Sequence, residues 1–158
     1  MNTGANTNEV AIRSEDLEPP SWSEQLSRYI QILLNGLDIE NWEVSVLLCD
    51  EALMQHLNAT YRGKDESTDV LSFVDEDSIT NTDPPVDRVY AGDIVICVPC
   101  VEMQATEAGV EYEEELRRVT IHGILHLAGY THDSNDFETE SMLKLQEKLL
   151  FEVKETLF

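Results

Sequence analysis

The stretch "HGILHLAGYTHD", His122 to Asp133, constrains this chain more than any other, because it packs three of the four histidines into eleven residues. His122 and His126 are four apart in an otherwise apolar helical pattern, so their rings project from one helix face, one turn apart. Gly129 lacks a Cβ and can take the left-handed conformation that ends a helix and turns the chain back. That turn allows His132, three residues on, to swing over the same face. Imidazole nitrogens suit Zn²⁺, and three protein ligands leave the fourth tetrahedral position to water, which is how a catalytic rather than a structural site is built. The same spacing also fits Ni²⁺, Co²⁺ or Fe²⁺. Two ordinary helix histidines would explain His122 and His126, but not a helix-ending glycine and a third histidine at the required offset.

Metal-dependent proteases of the metzincin type read H-E-x-x-H-x-x-G-x-x-H, and this chain fills each fixed position except the glutamate, where Gly123 stands. That glutamate moves a proton from the metal-bound water to the leaving amine, so its absence counts against peptide hydrolysis. A phosphodiester asks less of such a group. A metal and a nearby cation can stabilise its attacking and leaving oxygens, and an RNA 2′-hydroxyl can serve as nucleophile.

Around this segment the pattern is that of one α/β (α+β type) domain. Four strands are expected, over Val10–Asp16, Trp42–Cys49, Asp69–Val74 and Tyr90–Val98, from their β-branched and apolar content. A helix from Trp22 to Asn35 is expected behind a Ser21–Glu24 capping box, with Leu26, Tyr29, Ile30, Leu33 and Leu34 at helical spacing. Asp50 should cap a second helix through Tyr61, Pro99 should open a third that Gly109 ends, and two more should cover Glu113–Ala128 and roughly Phe137–Thr156. Asp75 to Val89, with its acidic residues and prolines, reads as a surface loop. The expected architecture is a small mixed sheet of about four strands packed with helices, one of them bearing H-x3-H-x5-H. Residues 1–8 read as a disordered leader and 9–158 as a single domain, since 158 residues suffice for one core and not comfortably for two.

Charge narrows the partners. With 32 acidic against 10 basic residues, the net charge of −22 excludes a protein that grips nucleic acid through a broad positive face. No apolar run reaches the roughly 18–20 residues that span a bilayer, and "MNTGANTN" lacks a signal peptide's basic start and apolar core, so a cytoplasmic protein without membrane contact is expected. Three cysteines, Cys49, Cys97 and Cys100, in such a chain favour reduced thiols over a disulfide framework.

"HGILHLAGYTH" is similar to the H-G-x-L-H-L-x-G-Y-D-H signature of the YbeY family, bacterial single-strand-specific endoribonucleases that mature ribosomal RNA. "LNATYRGKDESTDVLSF", Leu57 to Phe73, resembles the family's L-N-x-x-[YF]-R-x-x-[DN]-x-x-T-[DN]-V-L-[ST]-F, and "GDIVIC", Gly92 to Cys97, its G-D-I-x-I-[CS] strand. The resemblance implies a zinc site at His122, His126 and His132 and a cationic residue, Arg62, in the active cleft. It implies single-stranded RNA as substrate, 16S ribosomal RNA 3′-end processing and small-subunit quality control as the setting, and the small ribosomal subunit or a ribosomal protein as partner, without DNA. Thr131 departs from the family's Asp, and Asp133 could take over an outer role such as orienting an imidazole. A metallohydrolase of another substrate and a non-catalytic assembly factor with a structural metal stand as alternatives.

Arg62 can clamp phosphate oxygens through two parallel hydrogen bonds; Lys64, beside it, has no assigned role. Arg117 and Arg118, just ahead of His122, read as surface charges, and His56 as a structural histidine on an amphipathic helix. "CVPC" (Cys97 to Cys100) sits where thioredoxin-like proteins place C-x-P-C, but the chain lacks a thioredoxin order, so Cys97 reads as a small packed thiol.

Overall fold

The computed structural model describes residues 7–75, 89–129 and 136–153, with side chains from Ser141 onward in the last of these stretches. The expected loop over Asp75–Val89 lies almost wholly outside the described residues, as does the stretch 130–135 with Thr131, His132 and Asp133. Four strands, β1 (Glu9–Glu15), β2 (Trp42–Cys49), β3 (Val70–Val74) and β4 (Val89–Cys97), form one sheet in the order β1-β2-β4-β3. β1, β2 and β4 run parallel, and β3 pairs antiparallel on β4 as an edge strand. Among the described residues five helices accompany them: α1 (Ser23–Gly36), α2 (Glu51–Arg62), α3 (Val98–Ala108), α4 (Tyr112–Leu127) and α5 (Asp136–Glu152). The small mixed sheet and the single α/β domain expected from the sequence are both present. Among the described residues no helix is long and apolar enough to cross a membrane.

The main core lies on one sheet face. Val44, Val46 and Leu48 of β2, with Ile94 and Ile96 of β4, meet Leu26, Tyr29, Ile30, Leu33 and Leu34 of α1 and Leu116, Ile121, Ile124 and Leu125 of α4. Each such side chain contributes about 1.5–3 kcal/mol through removal from water. The other face is thinner: α2 covers it with a small cluster of Cys49, Met54, Leu71, Val95 and Cys97. A bulge leaves Ala91 without a partner in β2, since Val44 pairs with Gly92 while Glu43 pairs with Tyr90. Gly92, at φ 145°, is required there, because a Cβ would collide with the Phe73 carbonyl and reach Leu127 Cδ2. The bulge thus lets β3 and the end of α4 close onto β4.

Local signals held unevenly. Asp50 Oδ1 accepts from Leu53 N at 2.9 Å, as a helix cap should, and α2 stops at Gly63 in the left-handed region. The capping box ahead of α1 does not form. Trp22 rather than Ser21 occupies the cap position, and an indole has no oxygen with which to accept from the first-turn amides; nearby, Ser23 Oγ donates to Pro20 O at 2.7 Å. The cysteines also differ from expectation: Cys97 and Cys100 form a disulfide rather than two thiols. Helix α3 begins one residue before Pro99, which sets Cys100 in its first turn directly over Cys97, with Cα atoms 5.2 Å apart, inside the range a disulfide spans. Only Cys49 is a free thiol among the described residues, and burial pushes its pKa up to about 12.

Candidate active site

Helix α4 carries His122 and His126 on one side and packs on the sheet with the other. Glu113, Glu114 and Glu115 occupy its first turn, where negative charge complements the helix dipole. Gly123 lies on the packed side: a Cβ there would stand 3.0 Å from Ile94 Cγ2 and 3.2 Å from Ile94 Cδ1, and Ser72 Oγ donates to the Gly123 carbonyl at 3.4 Å. A glutamate at 123 would therefore be driven into β4 rather than toward the histidines. The position that separates this chain from metzincins is set by close helix–sheet packing.

The two imidazoles meet edge to face, with ring centroids 4.7 Å apart and their Nε2 atoms 3.1 Å apart. Two nitrogens each about 2.0–2.1 Å from one tetrahedral ion stand about 3.3 Å apart, so this pair fits a shared cation. His122 Nδ1 lies 2.7 Å from Oε1 of Gln146, a buried side chain of α5. Among the described residues no third His, Cys, Asp or Glu joins the pair; His132 lies outside them.

Arg62 approaches from the other side of the edge strand. As the last residue of α2, it donates from Nη2 to the Ser72 carbonyl at 2.5 Å and lays its guanidinium over the Phe73 ring, 5.0 Å from the centroid. These contacts aim an exposed cation without burying it. Arg62, Lys64, Asp69, Ser72, His122 and His126 line one cleft of about 760 Å³. The loop between α2 and β3 is pinned by the buried Asn58, which donates to the Glu66 carbonyl at 2.8 Å, and by Asp69, which accepts from Val70 N at 2.8 Å and Gln104 Nε2 at 3.0 Å. His56 is exposed on α2 and is not part of the cleft lining.

Arg118 is not the solvated surface charge that its sequence context suggests. It donates to Glu114 at 3.0 Å, Glu115 at 2.7 Å and Glu147 at 2.9 Å, a clamp that ties α4 to α5. These acceptors raise the guanidinium pKa further, and Arg118 in turn holds the Glu147 carboxyl below its usual range. Arg117 is also largely covered, with Glu113 4.0 Å away.

Two adjacent imidazoles thus share a polar cleft with an arginine on this sheet. The sequence model of the family described as Endoribonuclease YbeY matches residues 9–154. The chain belongs to the YbeY family. Curated relatives of that name include one from Borreliella burgdorferi, 48% identical over 129 residues that cover 80% of this chain and 83% of the relative. Another, from Treponema denticola, is 41% identical over 150 residues, or 94% of this chain and 95% of the relative. A solution structure from Thermotoga maritima superposes with a TM-score of 0.64 at 34% identity, covering 91% of this chain and 88% of that one. YbeY membership confirms the family resemblance that the His122–His132, Leu57–Phe73 and Gly92–Cys97 segments carry.

Sequence reasoning missed Gln146, Asp69 and Ser72. Gln146 had a readable signal: it is a polar residue four after Met142 and three before Leu149, on the stripe that α5 buries. Asp69 and Ser72 had none beyond their place in the family segment.

Proposed function

We propose that this YbeY-family chain is a metal-dependent, single-strand-specific endoribonuclease of ribosomal RNA maturation, acting at the 16S 3′ end and in small-subunit quality control. The observation that carries this reading is the convergence of His122 Nε2 and His126 Nε2, 3.1 Å apart, in the cleft that Arg62 also lines. His122, His126 and His132 would hold one Zn²⁺, or Ni²⁺ or another divalent ion in its place. Such an ion supplies electrophilic stabilisation of phosphoryl oxygens and a lowered pKa for bound water. Arg62 binds the scissile phosphate, where a rigid guanidinium fork meets two oxygens at once. An RNA 2′-hydroxyl is available as nucleophile, and the proton it gives up would pass to a group other than position 123, where glycine offers no acceptor side chain.

The net charge of −22 leaves bare RNA weakly attracted at long range. Arg62 and Lys64 provide local positive charge, and the small ribosomal subunit or a ribosomal protein recruits the chain in the cytoplasm. Metal analysis with His126→Ala beside wild type should show about one bound ion lost. Single-stranded RNA and casein are then offered to wild type and Arg62→Ala: RNA cut by wild type alone supports the reading. Casein cleavage would replace it with a peptidase, and cleavage of neither with a non-catalytic assembly role.

A further inference from the structure

The candidate ligand His122 has a partner that the family motifs do not include. Gln146 comes from α5, twenty-four residues downstream, and its side chain is buried, with 6% exposure for the residue. Its two amide ends face different groups. Oε1 stands 2.7 Å from His122 Nδ1, while Nε2 donates to Glu147 Oε2 at 3.4 Å. Glu147 is in turn gripped by Arg118, through Nε at 2.9 Å and Nη2 at 3.2 Å. Arg118 is itself held on α4, where Nη1 donates to Glu115 and Nη2, shared with Glu147, donates to Glu114.

The chemistry of these groups gives the chain a direction. A guanidinium only donates, so Glu147 accepts; a carboxylate only accepts, so the Gln146 amide nitrogen turns toward it and the amide oxygen toward His122. The low pKa of Glu147 keeps that carboxylate ionised through the neutral range. A carbonyl oxygen facing Nδ1 requires Nδ1 to carry the proton, which leaves the lone pair on Nε2, the nitrogen that faces His126.

We propose that Gln146 is a positioning residue that fixes the tautomer and ring orientation of His122, with Arg118 and Glu147 fixing the amide of Gln146 behind it. Its consequence for metal binding rests on the reading of His122 as a ligand; its consequence for the imidazole does not. The arrangement gives α5 a task at the site, since it adds a hydrogen-bond partner on the Nδ1 side of a ring whose Nε2 side faces His126.

The test uses the full chain as Gln146→Leu, which keeps the volume but removes the acceptor, and as Gln146→Glu, which restores an acceptor. In metal-free protein at a pH where the imidazoles are neutral, long-range ¹H–¹⁵N spectra report the tautomer of His122. Wild type and Gln146→Glu should show protonated Nδ1, and Gln146→Leu should lose that preference. Zinc affinity, read by competition with a chelating dye, should fall by about 10–100-fold in Gln146→Leu and be retained in Gln146→Glu. Protonated Nδ1 persisting in a folded Gln146→Leu overturns the proposal, as does loss of the preference in Gln146→Glu. If wild type binds no zinc, the metal reading fails while the spectra still decide the role of Gln146. Should Gln146→Leu not fold, Glu147→Gln takes its place: removing the anion frees the amide to flip, and an unchanged tautomer there would count against the chain of contacts.

Discussion

The two faces of the sheet are built to different standards. Behind one, α1, α4 and α5 enclose a large core in which Leu26, Ile30, Leu116 and Ile121 are wholly buried; across the other, α2 covers a cluster of five. The candidate site lies along the edge strand β3, where the faces meet, and draws differently on each. The heavily packed face supplies His122 and His126, with Gln146 against His122 and the Arg118–Glu147 pair behind Gln146. From the lightly packed face comes Arg62, exposed at a helix end and aimed by one backbone carbonyl and one ring. On the proposed reading, a metal grip would need ligands fixed to within a few tenths of an ångström, whereas a phosphate clamp would adapt to a flexible strand. The difference in packing suits that proposal.

The contrast predicts where changes will hurt. Gly123→Glu, on the packed face, forces a carboxylate against Ile94 and should cost more than the about 1–3 kcal/mol of ordinary overpacking, read as a drop in chemical-denaturation midpoint. It should bring no casein cleavage with it. Ile124→Ala in the main core should cost about 2–5 kcal/mol, and Leu71→Ala in the thin cluster should fall at the lower end of that range. Equal losses would break the comparison.

Arg62→Lys sharpens the comparison from the other side. It should leave the denaturation midpoint within about 1 kcal/mol of wild type, because the residue is exposed and replaces one donor with another. RNA cleavage should nevertheless fall by about 10²-fold through loss of the forked contact. Cys49 tests the thin cluster directly: with its thiol raised to about 12 by burial, it should resist alkylation at pH 8 and react once denaturant opens the fold. Rapid reaction in the native state would show that this face breathes more than its burial implies.

The smallest effect concerns the clamp between α4 and α5. Arg118 lowers the Glu147 pKa, so the carboxylate's contribution is complete above its ordinary 4.5 and is lost as pH falls through the lower folded value. Glu147→Gln should therefore flatten the acid limb of the stability profile below about pH 4.5, by a small amount because the carboxylate is half exposed. An identical acid limb would mean that the clamp adds nothing to stability.

Much of the fold was legible because its signals are local. The boundaries of β2 match the apolar run Trp42–Cys49, Asp50 caps α2, and Gly109 ends α3 in the left-handed region, since each depends on residues within one turn or one strand. The spacing of His122 and His126 likewise dictates that both rings share a helix face, and the family segments identify the chain without a structure. Local reading failed at Arg118 because Glu147 from a later helix claimed it. It also failed at two local points, where Trp22 rather than Ser21 took the α1 cap position and where the first turn of α3 set Cys100 against Cys97.

What the sequence by itself determined is the set of elements, the pairing of two imidazoles on one helix face, and the family. Only the tertiary structure decided that β4 lies between β2 and β3, that Arg62 and the histidines line one cleft, and that Gln146 backs His122. The physical reason is range. Periodicity and capping act over about four residues. Strand order and the contacts of buried polar groups are settled by packing between segments far apart in the chain, where each amide, guanidinium and carboxylate must find a partner or leave a buried group unsatisfied.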